Sequence, residues 1–172
     1  LRNCDFAGAE KYFRKAVEKA IRSNPNPYDY EPYYNLGLAL KYQGKTKEAY
    51  DAFYKAVWGG SFQAPGFYEL ACLDVKEGRF AEAIEHVNES ILRQYHCMKA
   101  RALKENLLKK LGRGEEAADL HRESLGIDPL YDRLPEKINH NTLLELMIDL
   151  YEAGDYMQGV AHAEKGVEQK SA

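Results

Sequence analysis

The apolar positions between Tyr33 and Ala56 fall into two helical stripes separated by a break. Tyr33, Leu36 and Leu40 are spaced i, i+3, i+7 and share one face of a helix; Ala49, Phe53 and Ala56 are spaced i, i+4, i+7 and share one face of a second. Gly37 interrupts the first stripe, where glycine costs about 1 kcal/mol relative to alanine. A close crossing by the second helix is the simplest reason for it. Gln43-Gly44-Lys45 breaks the pattern, and Gly44 can take the left-handed conformation that ends a helix. The stretch therefore predicts an antiparallel helical hairpin in which Phe53 fills the gap left by small residues. One apolar edge of that hairpin stays uncovered.

The same register returns every 34 residues. In residues 64–97, Phe67, Leu70 and Ala71 stand where Tyr33, Leu36 and Gly37 stood; Gly78, Ala83, Val87 and Ser90 match Gly44, Ala49, Phe53 and Ala56. Asp74 takes the place of Leu40, which predicts either a polar residue near an edge or a polar contact on a ligand-binding side. Residues 98–131 keep the turn glycine (Gly112) with Ala117 and Ser124, but Lys104 and Glu105 hold the leucine and glycine places. The apolar stripe there reads Ala100, Leu103, Leu107, Leu111, implying a rotated first helix or a one-residue slip. Residues 1–29 hold only a second helix, with Ala9, Phe13 and Ala16 copying Ala49, Phe53 and Ala56, followed by the loop Ser23-Asn24-Pro25-Asn26-Pro27. Gly59 after Trp58 reads as a helix cap. After an insertion at 132–139, residues 140–172 give a terminal hairpin lined by Leu143, Leu146, Met147 and Leu150, with Gly154 at the turn. Gly159, Ala163 and Gly166 make its second helix thin, either a poorly packed end or a docking place for a further element.

The pattern Tyr33-x2-Leu36-Gly37-x2-Leu40…Ala49-x3-Phe53, at a period of 34, resembles the tetratricopeptide repeat. Tyrosine and leucine here replace the tryptophan and tyrosine usual at the family's first and last first-helix positions. The resemblance implies an all-α, right-handed α-solenoid of antiparallel helix–turn–helix hairpins. Its units would be the truncated repeat at 1–29, full repeats at 30–63 and 64–97, an irregular one at 98–131 and the terminal hairpin at 140–172, about nine helices in all. Stacking covers each unit's open edge with the next. The wording of residues 10–130 is also similar to the repeat segment of large bacterial proteins with an amino-terminal β-rich domain, some linked to carbohydrate metabolism.

Composition narrows the picture further. The chain has 172 residues, 45% of them hydrophobic, and a formal charge of −3. That is enough for a sizeable core, and the mild negative charge argues against nucleic acid as the main partner. Cys4, Cys72 and Cys97 follow no disulfide or metal spacing and read as reduced thiols of a cytoplasmic protein. No apolar run approaches the ~20 residues that cross a bilayer, so no membrane partner is expected. The opening Leu1-Arg2-Asn3 suggests a piece of a longer protein.

Candidate chemistry is sparse. His86, His96, His121, His140 and His162 form no HExxH pattern, and His86 and His121 read as exposed or half-buried residues of second helices. His96-Cys97 with Cys72 is the one grouping to test for a metal, and it lacks the four-ligand spacing of a zinc site. No catalytic residue, metal or cofactor is expected. In the repeat family the first helices line the concave face. The positions implied to point into it are Tyr34, Leu38 and Lys41; Tyr68, Cys72 and Val75; Lys99, Ala102, Asn106 and Lys109; and Asn141, Leu144 and Ile148. Tyrosine area, amides and lysines suit a peptide segment or a protein domain; the same tyrosines would also serve as packing between repeats. The family's carboxylate clamp for chaperone carboxyl termini maps onto Tyr34, Leu38, Glu69, Lys99 and Leu103. Only Lys99 agrees, so that ligand is not expected. The expected function is a noncatalytic interaction scaffold. The alternative is an accessory repeat domain of a larger bacterial, carbohydrate-active protein, packed against its own amino-terminal domain.

Overall fold

The computed structural model describes residues 5–22 and 24–131. Seven α-helices occupy them: α1 (Phe6–Ile21), α2 (Glu31–Lys41), α3 (Thr46–Ala56), α4 (Gln63–Lys76), α5 (Phe80–Arg93), α6 (Met98–Lys110) and α7 (Gly114–Ile127), with a 3-10 turn at Gly60–Phe62. Each helix packs chiefly on its neighbours in the chain. The pairs α2/α3, α4/α5 and α6/α7 are thus three hairpins in series, and α1 packs on α2 ahead of them. The terminal hairpin expected at 140–172, and with it the eighth and ninth helices and the groove positions Asn141, Leu144 and Ile148, lies outside the described residues.

The three hairpins turn in one way. Gly44, Gly78 and Gly112 have φ of 74°, 74° and 73°. After each, the next residue's N–H returns to the helix: Lys45 to the Leu40 carbonyl (3.0 Å), Arg79 to Asp74 (2.8 Å) and Arg113 to Leu108 (2.9 Å). Each glycine's own N–H reaches the carbonyl three residues back. This paired closure needs a left-handed residue, which glycine supplies without steric cost. Gly59 differs from its expected role. It is extended (φ −90°, ψ 125°) and does not cap by left-handedness. A Cβ there would lie 2.7 Å from the Tyr30 ring, so it is small because Tyr30 packs on it.

Inside each hairpin one crossing point recurs. A Cβ on Gly37 would lie 2.6 Å from the Phe53 ring, which is wholly buried. The equivalent places are Ala71 with Val87, both fully buried, and then Glu105 with His121, whose Nδ1 lies 3.1 Å from Glu105 Oε2. The irregular unit therefore keeps the register. Leu108, at the place of Leu40, is 1% exposed, whereas Leu111 is 43% exposed and outside the core. Lys104 and Glu105 break the expected stripe because the crossing there is polar, not because the helix slips.

The core has two parts that meet at α4. Leu36, Leu40, Ala49, Ala52, Phe53 and Val57 gather Leu70 and Leu73 of α4. The second part takes Ala71, Cys72 and Val75 of α4 with Val87, Ala100, Leu103, Leu107, Leu108, Ala117 and Leu120. Residues 70–75 are all buried, so α4 is enclosed on nearly every side, as expected of a helix inside a stack. The serines at the Ala56 place are buried without penalty: Ser90 Oγ donates to the Ala64 carbonyl and Ser124 Oγ to the Leu120 carbonyl, each at 2.8 Å.

α1 buries no residue fully; Phe13 and Val17 pack against the first part of the core, and polar contacts add to this. Glu10 accepts from Lys45 Nζ (2.6 Å), Arg14 Nε (2.8 Å) and Gln43 Nε2 (2.9 Å). Gln43 Nε2 also reaches the Phe6 carbonyl, and the Phe6 and Tyr42 rings stack at 5.0 Å. The hydrogen bonds from Lys45, Arg14 and Gln43 hold the Glu10 carboxyl down to about 2 from its ordinary 4.5, against a smaller upward push from burial. A depressed carboxylate stabilises the docked state fully above about pH 4.5 and loses that contribution as the pH falls toward 2.

Two outcomes are expected. Gly37→Leu destabilises by about 1–3 kcal/mol through overpacking at the Phe53 ring, read as a lowered Tm; Phe53→Leu added to it recovers part of the loss, and an unchanged Tm for Gly37→Leu would contradict a crossing there. On acidification from pH 4.5 toward 2, the amide resonances of α1 shift ahead of those of α4. Glu10→Gln removes that early step.

Candidate functional site

The surface singled out by sequence is formed by the first helices of successive hairpins, α2, α4 and α6. These place the described candidates unevenly. Tyr34, Leu38, Tyr68, Ala102 and Asn106 are half-buried and Lys99 and Lys109 are exposed, but Lys41, Cys72 and Val75 are buried. Tyr34 lies against the Phe53 and Phe62 rings at 5.7 and 5.5 Å. Burial raises its phenol above the ordinary value, the nearby Glu69 charge adds to this, and Lys41 opposes it. Tyr34 thus serves both readings offered by the sequence, packing with one face and surface with the rest.

Lys41 is not a groove lysine. Its Nζ donates to Glu69 Oε2 at 2.8 Å, and the side chains are only 3% and 12% exposed. The pair joins α2 to α4 across the seam between two repeats. Cys72 sits beside that seam, 1% exposed and part of the second core. The periodicity marks both positions correctly as first-helix residues of one register. It cannot tell that the next first helix closes over them, since that depends on how near two hairpins approach. Lys109 Nζ donates to Glu105 Oε1 at 2.6 Å on its own helix.

Behind the first helices lies a set of buried polar side chains that sequence reading misses or places elsewhere. Asp74 is neither at an edge nor on the ligand side. It is fully buried and its carboxylate accepts from Arg79 Nε (3.0 Å) and Nη2 (2.6 Å), while Oδ2 lies 2.6 Å from His86 Nδ1. His86 is clasped by the Phe67 ring, stacked at 5.9 Å, and the Tyr50 ring, edge-on at 6.1 Å. Asp74 and His86 occupy the places held by Leu40 and Ala52 in the preceding hairpin and by Leu108 and Leu120 in the following one. Among the described hairpins, the middle one replaces an apolar layer by a carboxylate–imidazole contact. The signal is present in the sequence as two simultaneous substitutions at facing places, Asp74 and His86, and only the hairpin geometry makes them a pair.

In α6, burial pushes the Glu105 carboxyl up, but hydrogen bonds from Lys109, His121 and Tyr131 together outweigh it and hold it below the ordinary value. The Tyr131 hydroxyl is 3.0 Å from Glu105 Oε2. Arg101 stands where Tyr33 and Phe67 stood and is 1% exposed. Its guanidinium lies 4.4 Å above the Tyr95 ring, and it donates to the Tyr95 carbonyl (2.9 Å) and to Glu123 (3.2 Å). These groups are engaged in holding helices together. Among the described residues no group of three or more His, Cys, Asp or Glu is placed to hold a metal. No described helix is long and apolar enough to cross a membrane.

Residues 30–57 match the tetratricopeptide repeat family. That span contains α2, the Gly44 turn and α3, the hairpin whose crossing is Gly37 and Phe53. This segment is similar to a tetratricopeptide repeat, and the two following hairpins repeat its turn and register. Among solved structures, a crystal structure of MamA superposes with a TM-score of 0.64 at 18% identity over 99% of this chain and 91% of that one. A second MamA crystal structure has the same TM-score and identity over 99% and 85%. MamA from Desulfovibrio magneticus RS-1, residues 41 to the end, gives 0.52 at 15% identity over 95% and 96%. What is shared at these identities is the helical-repeat fold.

The polar layer has a measurable consequence. Asp74→Ala leaves the His86 nitrogen without its carboxylate while Arg79 stays partly solvated, and costs about 1–3 kcal/mol in urea unfolding. Asp74→Leu combined with His86→Ala, the pairing found at Leu40 and Ala52, recovers most of that loss. A cost below about 1 kcal/mol for Asp74→Ala would mean the ion pair contributes little to the middle hairpin.

Proposed function

We propose that the chain is a noncatalytic scaffold that binds a protein segment along the face formed by α2, α4 and α6. The observation that carries this reading is the half-exposed row of Tyr34, Leu38, Tyr68 and Asn106 on successive first helices, standing over a closed seam. The seam residues Lys41, Glu69 and Cys72 give that row a rigid floor. Aromatic area on a pre-ordered floor binds with little loss of side-chain freedom, and amides such as Asn106 can pair with a ligand's backbone. The ligand class that fits is a peptide or helix with apolar side chains for Tyr34, Leu38 and Tyr68. The carboxylate clamp remains unsupported, because Glu69 is an acid engaged by Lys41 in the seam and Leu103 belongs to the core.

The test is selection of short peptides from a displayed library against the full chain, followed by affinity measurement on variants. Leu38→Glu with Asn106→Glu is expected to weaken the selected peptides at least tenfold, since a few central contacts dominate such interfaces. Tyr54→Glu with Glu85→Lys, on exposed faces of the second helices α3 and α5, is expected to leave affinity and Tm nearly unchanged. Peptides sensitive only to the second pair would move the binding face to the second helices.

A further inference from the structure

Helices α1, α3, α5 and α7 are neighbours in one layer. Arg14 of α1 meets Glu48 of α3, the Tyr50 ring of α3 lies 6.1 Å from that of His86 in α5, and Tyr95, just after α5, donates its hydroxyl to Glu123 of α7. Phe13, Phe53, Val87 and His121 hold one register place in these helices. Two residues on, the chain carries Lys15, Lys55, Glu89 and Glu123 in that order. Lys15 and Glu123 are exposed; Lys55 and Glu89 are half-buried. Across the layer this row runs from two cations to two anions. Three places further on, α3 and α5 present Trp58 and Leu92, 56% and 76% exposed. We propose that this layer pairs with the same layer of a second copy of the chain, about a two-fold axis that runs along the helices between α3 and α5.

A row that reverses sign about its midpoint is complementary to itself turned end for end. Rotation about that axis keeps each residue's height along the helices and exchanges α1 with α7 and α3 with α5. It sets Lys15 against Glu123 of the second copy, Lys55 against Glu89 and Trp58 against Leu92, each pair occurring twice. An apolar centre with a charged rim is the ordinary anatomy of a protein interface. Lys55 Nζ stands 3.5 Å over the Trp58 ring, so the cation and the apolar centre form one surface. Glu89 and Glu123 already accept from Arg93 and Arg101, and Asp51 meets Glu85 as a like charge at the same height, so the pairing is weak. Four helices about 20 Å long and about 10 Å apart offer roughly 800 Å², one partner's share of a standard interface. The face of α2, α4 and α6 stays open.

Sedimentation equilibrium on the full chain tests the pairing. The chain is expected to dimerise as its concentration rises toward about 1 mM, the weak end of specific association, and a chain that stays monomeric there overturns the proposal. Lys55→Glu and Glu89→Lys each bring like charges together twice. Each is expected to weaken the dimer at least tenfold with the helical circular dichroism unchanged. Mixed in equal amounts, the two variants meet only opposite charges across the axis. The mixture is expected to form a heterodimer within threefold of the parent's affinity. A variant that dimerises as readily as the parent overturns this interface, and so does a mixture that stays as weak as its components. Trp58→Ser with Leu92→Ser is expected to abolish the dimer and leave the Tm of the dilute chain unchanged; a dimer that survives that change overturns the apolar centre and with it the proposal.

Discussion

Everything in this chain hangs on how two helices cross within a hairpin. In the first complete hairpin the crossing is a glycine under a phenyl ring, Gly37 beneath Phe53, close enough to exclude even a methyl group. In the second it is Ala71 with Val87, one side larger than glycine and the other smaller than phenylalanine. In the third it is Glu105 with His121 at 3.1 Å. Summed size and chemistry are kept compatible at each crossing while neither residue is kept. Close-packed interiors tolerate such paired exchange far better than a change on one side, so the repeat can drift in sequence without losing its geometry.

The same compensation operates one layer deeper, with a different outcome. Leu40 and Ala52 become Asp74 and His86, and then Leu108 and Leu120. The middle layer replaces apolar packing by a buried carboxylate that takes two donors from Arg79 and faces one imidazole nitrogen. A buried carboxylate survives only when its hydrogen-bonding capacity is met, and here the neighbouring turn and the facing helix both contribute. α4, which carries Asp74, is also the helix shared by the two halves of the core. A helix enclosed on nearly every side therefore carries a fully buried carboxylate.

The face available to a partner is a by-product of this stacking. Because each first helix leans on the next, residues in the seam, Lys41, Glu69 and Cys72, are withdrawn from solvent. Their neighbours Tyr34, Leu38, Tyr68 and Asn106 stay half-exposed. A seam salt bridge between repeats ties α2 to α4 and keeps that row in line, which couples the stability of the stack to the shape of the surface.

Helix spacing, the 34-residue period and the three left-handed turn glycines are legible in the chain itself, because local backbone preference and apolar periodicity act within a few residues. So is the close crossing at Gly37, since a mid-helix glycine demands a neighbour. Gly59 reads as a cap and is not one, because a glycine pressed by Tyr30 and a glycine in a left-handed turn look alike in sequence. Asp74, Lys41 and Cys72 read as edge or groove residues and prove to be interior. Their burial depends on which helix of another unit covers them, and on Arg79, His86 and Glu69 meeting their charges. Pattern along the chain determined which residues share a face. Only tertiary packing decided which of those faces met water, because burial belongs to the distance between units and not to either unit alone.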